Sequence, residues 1–329
     1  MTLAESQKPS PAVPRILMID TLRGMALLAM ASYHFTWDLE FFGYLDPGTA
    51  TQGLWKVYAR LIASSFLFLA GISLVLAHYP NIRWRSFWKR FAIVAGAAAA
   101  ISIATLIALP NEWIFFGILH GIAVASLVGL AFVRLPPLVS GGAGALIVAL
   151  MVIDGYVAPG SLRSAVFDPK YLAWLGFAQT PPRSNDFVPL FPWLAALLAG
   201  VFVARLAIRR QWLAALSRVQ ARPNLLTRAG RHSLLIYLLH QPVLIAIVYL
   251  LSITVPPPQA DPRESYMRAC ESGCVGSGNG EALRRSFCSC TADGLQAQSL
   301  ITPMQEGSIN PQTDERVIAL AQECSMLNQ

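Results

Sequence analysis

The chain has 329 residues, 55% of them hydrophobic and only 13% charged, with a formal net charge of +7 and a mean hydropathy of +0.50. Soluble domains carry roughly 25% charged residues, so this composition excludes an ordinary soluble enzyme, a disordered chain and a nucleic-acid binder. The charge is also divided: residues 1–256 hold 20 Lys/Arg and 9 Asp/Glu, net +11, whereas 257–329 hold 5 and 9, net −4, with all five cysteines.

Residues 1–14 read as a cytoplasmic N-terminal segment, 15–256 as a transmembrane domain and 257–329 as an external tail. A helix needs about 20 apolar residues to cross a bilayer. Seven stretches qualify: 16–39, 54–78, 88–109, 113–133, 138–157, 189–208 and 233–254. The segment 161–188 is too polar to span. It reads as a long external loop with an interfacial helix near Tyr171 and Trp174, and short or re-entrant helices there make seven a minimum. Ala29–Ala31 imitates a signal-peptide cleavage pattern, but Asp20 in the flank and the apolar aromatic run beyond favour a retained helix.

Orientation follows from Lys and Arg in short loops. Arg83, Arg85, Lys89 and Arg90 follow the second span; Arg205, Arg209, Arg210, Arg218, Arg222, Arg228 and Arg231 follow the sixth. The alternate connections are poor in basic charge. The expectation is a multi-pass protein of the cytoplasmic (inner) membrane, with its N-terminus inside and its C-terminus outside, where disulfides persist.

In the tail, Asp261-Pro262-Arg263-Glu264 is a helix start with Asp as cap and Pro at the first position. A second helix is expected around 280–297 and a third from Asn310-Pro311 toward Cys324. Three short helices make a small core that calls for covalent staples. Cys270, Cys274, Cys288, Cys290 and Cys324 allow two bridges with one cysteine left over, in fifteen patterns. The Cys-x3-Cys and Cys-x-Cys spacings do not suit zinc, and no metal is expected. The fold class is therefore all-α: a polytopic helix bundle with a small helical, cysteine-rich external domain.

Charges inside a spanning helix are costly and mark sites. The first span carries Asp20, Arg23, His34 and Asp38. Asp20 and Arg23 share a face at i, i+3. Arg23 and His34 lie three turns apart, roughly 16 Å along the axis, and Asp38 stands one turn beyond His34, spaced to orient its ring. His120 in the fourth span and His240-Gln241 in the seventh add polar groups, read either as interhelical hydrogen-bonding residues or as parts of a site. His78 and His232, at span ends, read as structural.

Five ordered blocks carry a family resemblance. They are Ile19-Asp20-x-Leu22-Arg23-Gly24 leading to Tyr33-His34, FLFLAGISLVL at 66–76, FFGILHGIAVASL at 115–127, DFVPLFPWL at 186–194 and GRHSLLIYLLHQPVL at 230–244. Together they resemble the heparan-α-glucosaminide N-acetyltransferase catalytic-domain family, its small bacterial members in particular. The Arg-x10-His spacing is also similar to that of the acyltransferase-3 family. The resemblance covers roughly 15–255 and leaves out the tail.

It implies transfer of an acyl group, typically acetyl, from cytoplasmic acetyl-CoA as co-substrate to an extracytoplasmic acceptor such as a glycan hydroxyl or amine. No cofactor is held permanently. The resemblance makes His34 catalytic; the spacing of the polar residues reads Asp38 as its partner and Asp20, Arg23, His120, His240 and Gln241 as shaping a polar tunnel. A histidine suits proton abstraction near neutral pH, and an acyl-imidazole on His34 is the competing route. Arg83, Arg85, Arg209 and Arg210 are the candidates for the CoA phosphates. The expected partners are the bilayer, acyl-CoA and the acceptor, with an envelope partner for the tail and a homodimer left open. The rival reading is a small-molecule or proton-coupled transporter, which also uses intramembrane Asp, Arg and His; no internal repeat supports it.

Overall fold

A computed structural model describes residues 16–219, 222–257, 261–274 and 280–327, and the regular structure among them is helical. The seven apolar stretches appear as α1 (Leu17–Phe41), α2 (Gly53–His78), α3 (Trp84–Ala108), α4 (Ile118–Phe132), α5 (Pro137–Val152, continued by a π-turn Ile153–Val157), α7 (Leu190–Arg209) and α10 (Ser233–Thr254). Between them lie the short helices α6 (Lys170–Ala173), α8 (Trp212–Val219) and α9 (Leu225–Arg231). Five are long and apolar enough to cross a membrane: α2, α3, α5 with its π-turn, α7 and α10. The count of seven is thus not reached on length and composition. Helix α1 is long enough at 25 residues but carries Asp20, Arg23, Asp38 and Glu40. Helix α4 has 15 residues, about 22 Å.

The late start of α4 has a local cause. Residues 113–117, expected inside the fourth span, and Glu112 just before it place their backbone groups elsewhere. Asn185 N–H donates to the Glu112 carbonyl at 3.0 Å and Val188 N–H to that of Phe116 at 3.0 Å. Ser102 Oγ donates to the Ile114 carbonyl at 2.6 Å, and Ile114 N–H to Thr105 Oγ1 at 3.0 Å. Irregular backbone at such depth is tolerated only where protein groups satisfy it. The polar loop at 161–188 therefore ends as structural lining.

Packing divides the described chain into two units that cut across the sequence boundary near Pro256: 16–30 with Arg60–His240, and Ala31–Ala59 with the described part of Gln241–Gln329. In the first unit the core is built from α2, α4 and α7 around Leu67, Leu74, Val75, Leu130, Leu197 and Val201. Helices α2 and α7 meet backbone to backbone. A Cβ on Gly71 would lie 2.1 Å from the Leu197 carbonyl oxygen, and one on Gly200 2.1 Å from that of Phe68. Helices α1 and α9 cross in the same way, with Gly24 on Leu226 and Gly230 on Asp20.

The second unit contains the end of α1, the start of α2, the end of α10 and the tail helices α11 (Pro262–Gly273), α12 (Glu281–Ala297), α13 (Ile301–Gln305) and α14 (Glu315–Leu327). Asp261 caps α11 as its sequence predicts, accepting from Arg263 N–H. The last helix starts later than expected. Asn310 closes a turn on Gln312 N–H at 3.0 Å, and Asp314 accepts from Arg316 N–H at the start of α14. Leu295, Leu300, Ile301 and Val317 form the small core, stapled by Cys270–Cys288 and Cys290–Cys324. Cys274 lies outside both bridges, its sulfur within 4.8 Å of those of Cys270 and Cys288. Arg268 pairs with Asp46 at 2.5 Å, joining α11 to the loop after α1.

Gly71→Ala and Gly200→Ala are each expected to cost roughly 1–3 kcal/mol by overpacking, read as a lowered melting temperature in detergent. Gly96→Ala, with nothing within 4 Å of its added carbon, is expected to leave it unchanged or raise it.

Candidate active site

Asp20 organises one end of the first unit. Its buried carboxylate receives Arg23 Nη1 at 3.0 Å and Arg231 Nε at 3.7 Å. The i, i+3 spacing read in the sequence supplies the first partner; the α1–α9 crossing supplies the second. Arg23 also donates from Nη2 to Ser73 Oγ, whose own O–H donates to the Leu69 carbonyl. Thr21 and Thr227 hydroxyls meet at 2.8 Å beside them. The guanidinium is thereby held from α1 and α2 together.

This cluster borders a cavity of about 440 Å³, within the range of small-molecule sites. One wall is cationic: Arg23, Lys89, Arg90 and Arg231. The remainder is largely aliphatic, including Leu69, Ile93, Val94, Ile118, Ile122 and Leu234, with Ser233 and Tyr237 contributing hydroxyls. Asp20 is shared by two of the four cations. Among the described residues neither Lys89 nor Arg90 has an acidic partner. The arrangement suits a ligand with an anionic head and an extended apolar or amide-bearing arm.

The arginines expected to hold phosphates stand elsewhere. Arg83 donates from Nε to the Ala77 carbonyl at 2.8 Å, closing the end of α2, and from its N–H to His78 Nδ1. Arg85, Arg209 and Arg210 are exposed and do not line the cavity. By sequence, Lys89 and Arg90 count only among the orientation-setting charges after the second span. Their signal was nonetheless present: Ser86, Lys89, Arg90, Ile93 and Val94 follow i, i+3, i+4, i+7, i+8 along one face of α3, turning from polar to apolar. Tyr237 had no signal of its own.

His120 is engaged in structure. Its Nδ1 accepts the Gly117 N–H at 3.2 Å and its Nε2 lies 3.3 Å from Ser102 Oγ. It closes the start of α4 and is not on the cavity wall. Asp186 does the complementary work at the same helix end, its Oδ2 accepting Ile118 N–H at 2.9 Å. His240 Nδ1 lies 2.6 Å from the Tyr237 carbonyl, within its own helix.

His34 lies in the second unit, half-buried beside Tyr33 with ring centroids 5.6 Å apart. Tyr33 in turn faces Trp55, and Ser32 Oγ meets Tyr58 OH at 2.9 Å. Asp38 is fully buried. Expected to orient His34, it instead takes its hydrogen bond from Gln241 Nε2 on α10, at 2.6 Å. The i, i+4 spacing put the carboxylate near enough to the ring; the neighbouring helix offered the competing donor.

Residues 15–242 match the heparan-alpha-glucosaminide N-acetyltransferase, catalytic family. The chain belongs to that family. No curated protein and no solved structure matches it. The family match takes in Arg23, His34, Asp38, Gln241 and every residue of the cavity wall, and it ends before the cysteine-bearing tail. Membership joins this helical membrane chain to acetyltransferases.

Burial pushes the Asp186 carboxyl up to about 6, against the Ile118 N–H that favours its charged form. A raised folded value means stability present at low pH and lost as the acid ionises. Relative to Asp186→Asn, the wild type is therefore expected to lose thermal stability between about pH 4 and 6 and to change little above. A difference in melting temperature that stays flat over that range would contradict this.

Proposed function

We propose that the chain transfers an acetyl group from acetyl-CoA, taken from the cytoplasmic side, to a hydroxyl or amine of an extracytoplasmic glycan acceptor. The observation that carries the reading is the cavity whose cationic wall continues into an aliphatic one, in a chain of an acetyltransferase family. Arg90, Lys89 and Arg231 receive the CoA phosphates as charge-assisted hydrogen bonds. The pantetheine arm follows the aliphatic lining, with Ser233 and Tyr237 as partners for its amides.

His34 is the general base. The acceptor oxygen or nitrogen attacks the thioester carbonyl, its proton passes to the imidazole, and the carbon–sulfur bond breaks to release CoA thiolate, which recovers a proton. Arg23 is fixed by Asp20 and Ser73 at the cavity wall.

In this reading all seven apolar helices cross the inner membrane, with α1 shielded by its neighbours and the basic connections 79–83 and 210–232 on the cytoplasmic side. The tail then faces an oxidising compartment, which suits its two bridges.

Turnover of acetyl-CoA by protein in lipid nanodiscs, with an extract of envelope glycans as acceptor, tests the proposal. His34→Ala is expected to lower turnover about 100-fold or more with CoA affinity retained. Arg90→Ala is expected to weaken CoA about 10-fold, most strongly at low salt. Wild-type turnover that survives loss of His34 would sink the assignment of the base; CoA binding indifferent to both Lys89 and Arg90 would sink that of the cavity.

A further inference from the structure

Hydrogen-bond accounting around Asp38 leaves a remainder. Asp38 is 0% exposed, and its Oδ1 accepts from Gln241 Nε2 at 2.6 Å. Its other oxygen, Oδ2, and the carbonyl oxygen of the same glutamine, Oε1, are both buried without a hydrogen-bond partner. Two acceptors on one joined pair of side chains thus lack a donor. Buried polar atoms are rarely left so, and a buried carboxylate without a cation is costlier still. No Lys, Arg or His forms an ion pair with Asp38 among the described residues. Of its titratable neighbours on α1, Glu40 is committed to Gly48 and Ala50 N–H, and His34 sits one turn back.

A single proton supplies both missing bonds. We propose that Asp38 is a neutral acid, donating from Oδ2 to Gln241 Oε1 while Oδ1 accepts from Nε2, in a cyclic acid–amide pair that ties α1 to α10. Exchanging the nitrogen and oxygen of the glutamine amide leads to the same result, because two acceptor oxygens 2.6 Å apart also require a proton between them. Asp38 is then a positioning residue. It fixes the helix that carries His34 without lending the imidazole a negative charge, and His34 works as a base without a carboxylate behind it. That consequence rests on the acetyltransferase reading; the protonation state does not.

Infrared difference spectroscopy between wild type and Asp38→Asn at neutral pH reads the state without turnover. A protonated-carboxyl carbonyl band in the wild type, lost in the variant and moved by Gln241→Met, is expected. A carboxylate band assigned to Asp38 would overturn the proposal. Asparagine can reproduce both hydrogen bonds, so Asp38→Asn is expected to keep turnover within about threefold with an unshifted pH profile, whereas Asp38→Ala loses thermal stability. A collapse of turnover in folded Asp38→Asn, with CoA binding intact, would equally overturn it. Wild type without any turnover would sink the acetyltransferase reading and leave the band to decide Asp38.

Discussion

The arrangement around Asp20 governs the first unit. A carboxylate 2% exposed in an apolar helix is tolerable only when paired, and among the described residues Asp20 meets two guanidinium groups, one from its own helix and one from α9. The second partner can reach only because Gly230 lets α9 lie on the backbone of α1 at Asp20, where any side chain would collide with the carbonyl. One contact of small residues thereby brings Arg231 to Arg23. With Lys89 and Arg90 from α3, more positive charge is gathered than the single carboxylate can neutralise, and the surplus faces a cavity.

A second constraint is the satisfaction of irregular backbone. Residues 112–117 and 185–188 lack helical bonds, so each supplies the other's partners, helped by the Ser102 and Thr105 hydroxyls of α3. His120 and Asp186 then complete the buried start of α4. Polar residues that look functional in an apolar sequence are here engaged at a buried helix terminus. The neighbouring cavity remains lined by aliphatic side chains from α4 and cations from α1, α3 and α9.

In the second unit the tail is more than an appendage in sequence. Its helices are too few to bury a large core, and the two bridges close loops between α11 and α12 and between α12 and α14, restricting the unfolded chain. Arg268 with Asp46, and Tyr44 with the Val255 carbonyl, connect tail and linker to the loop that follows α1. Both ion-pair partners at Arg268 are solvent-accessible, so that pair orders the contact more than it stabilises it.

The helical class, the apolar stretches, the division of charge, the Asp20–Arg23 pair and the cap at Asp261 were legible in the sequence, because each depends on residues within one or two helical turns or on composition summed over a segment. Which basic residues meet at the cavity was not legible: Arg83, Arg85, Lys89 and Arg90 are alike in sequence, and only the placement of α3 brings Lys89 and Arg90, both still exposed, to the cavity wall. The pairing of Asp38 with Gln241 in place of His34, the cysteine connectivity among fifteen patterns, and the late start of α4 were likewise decided by tertiary structure. Each joins residues far apart in the chain, where local spacing says what can pair and packing selects what does.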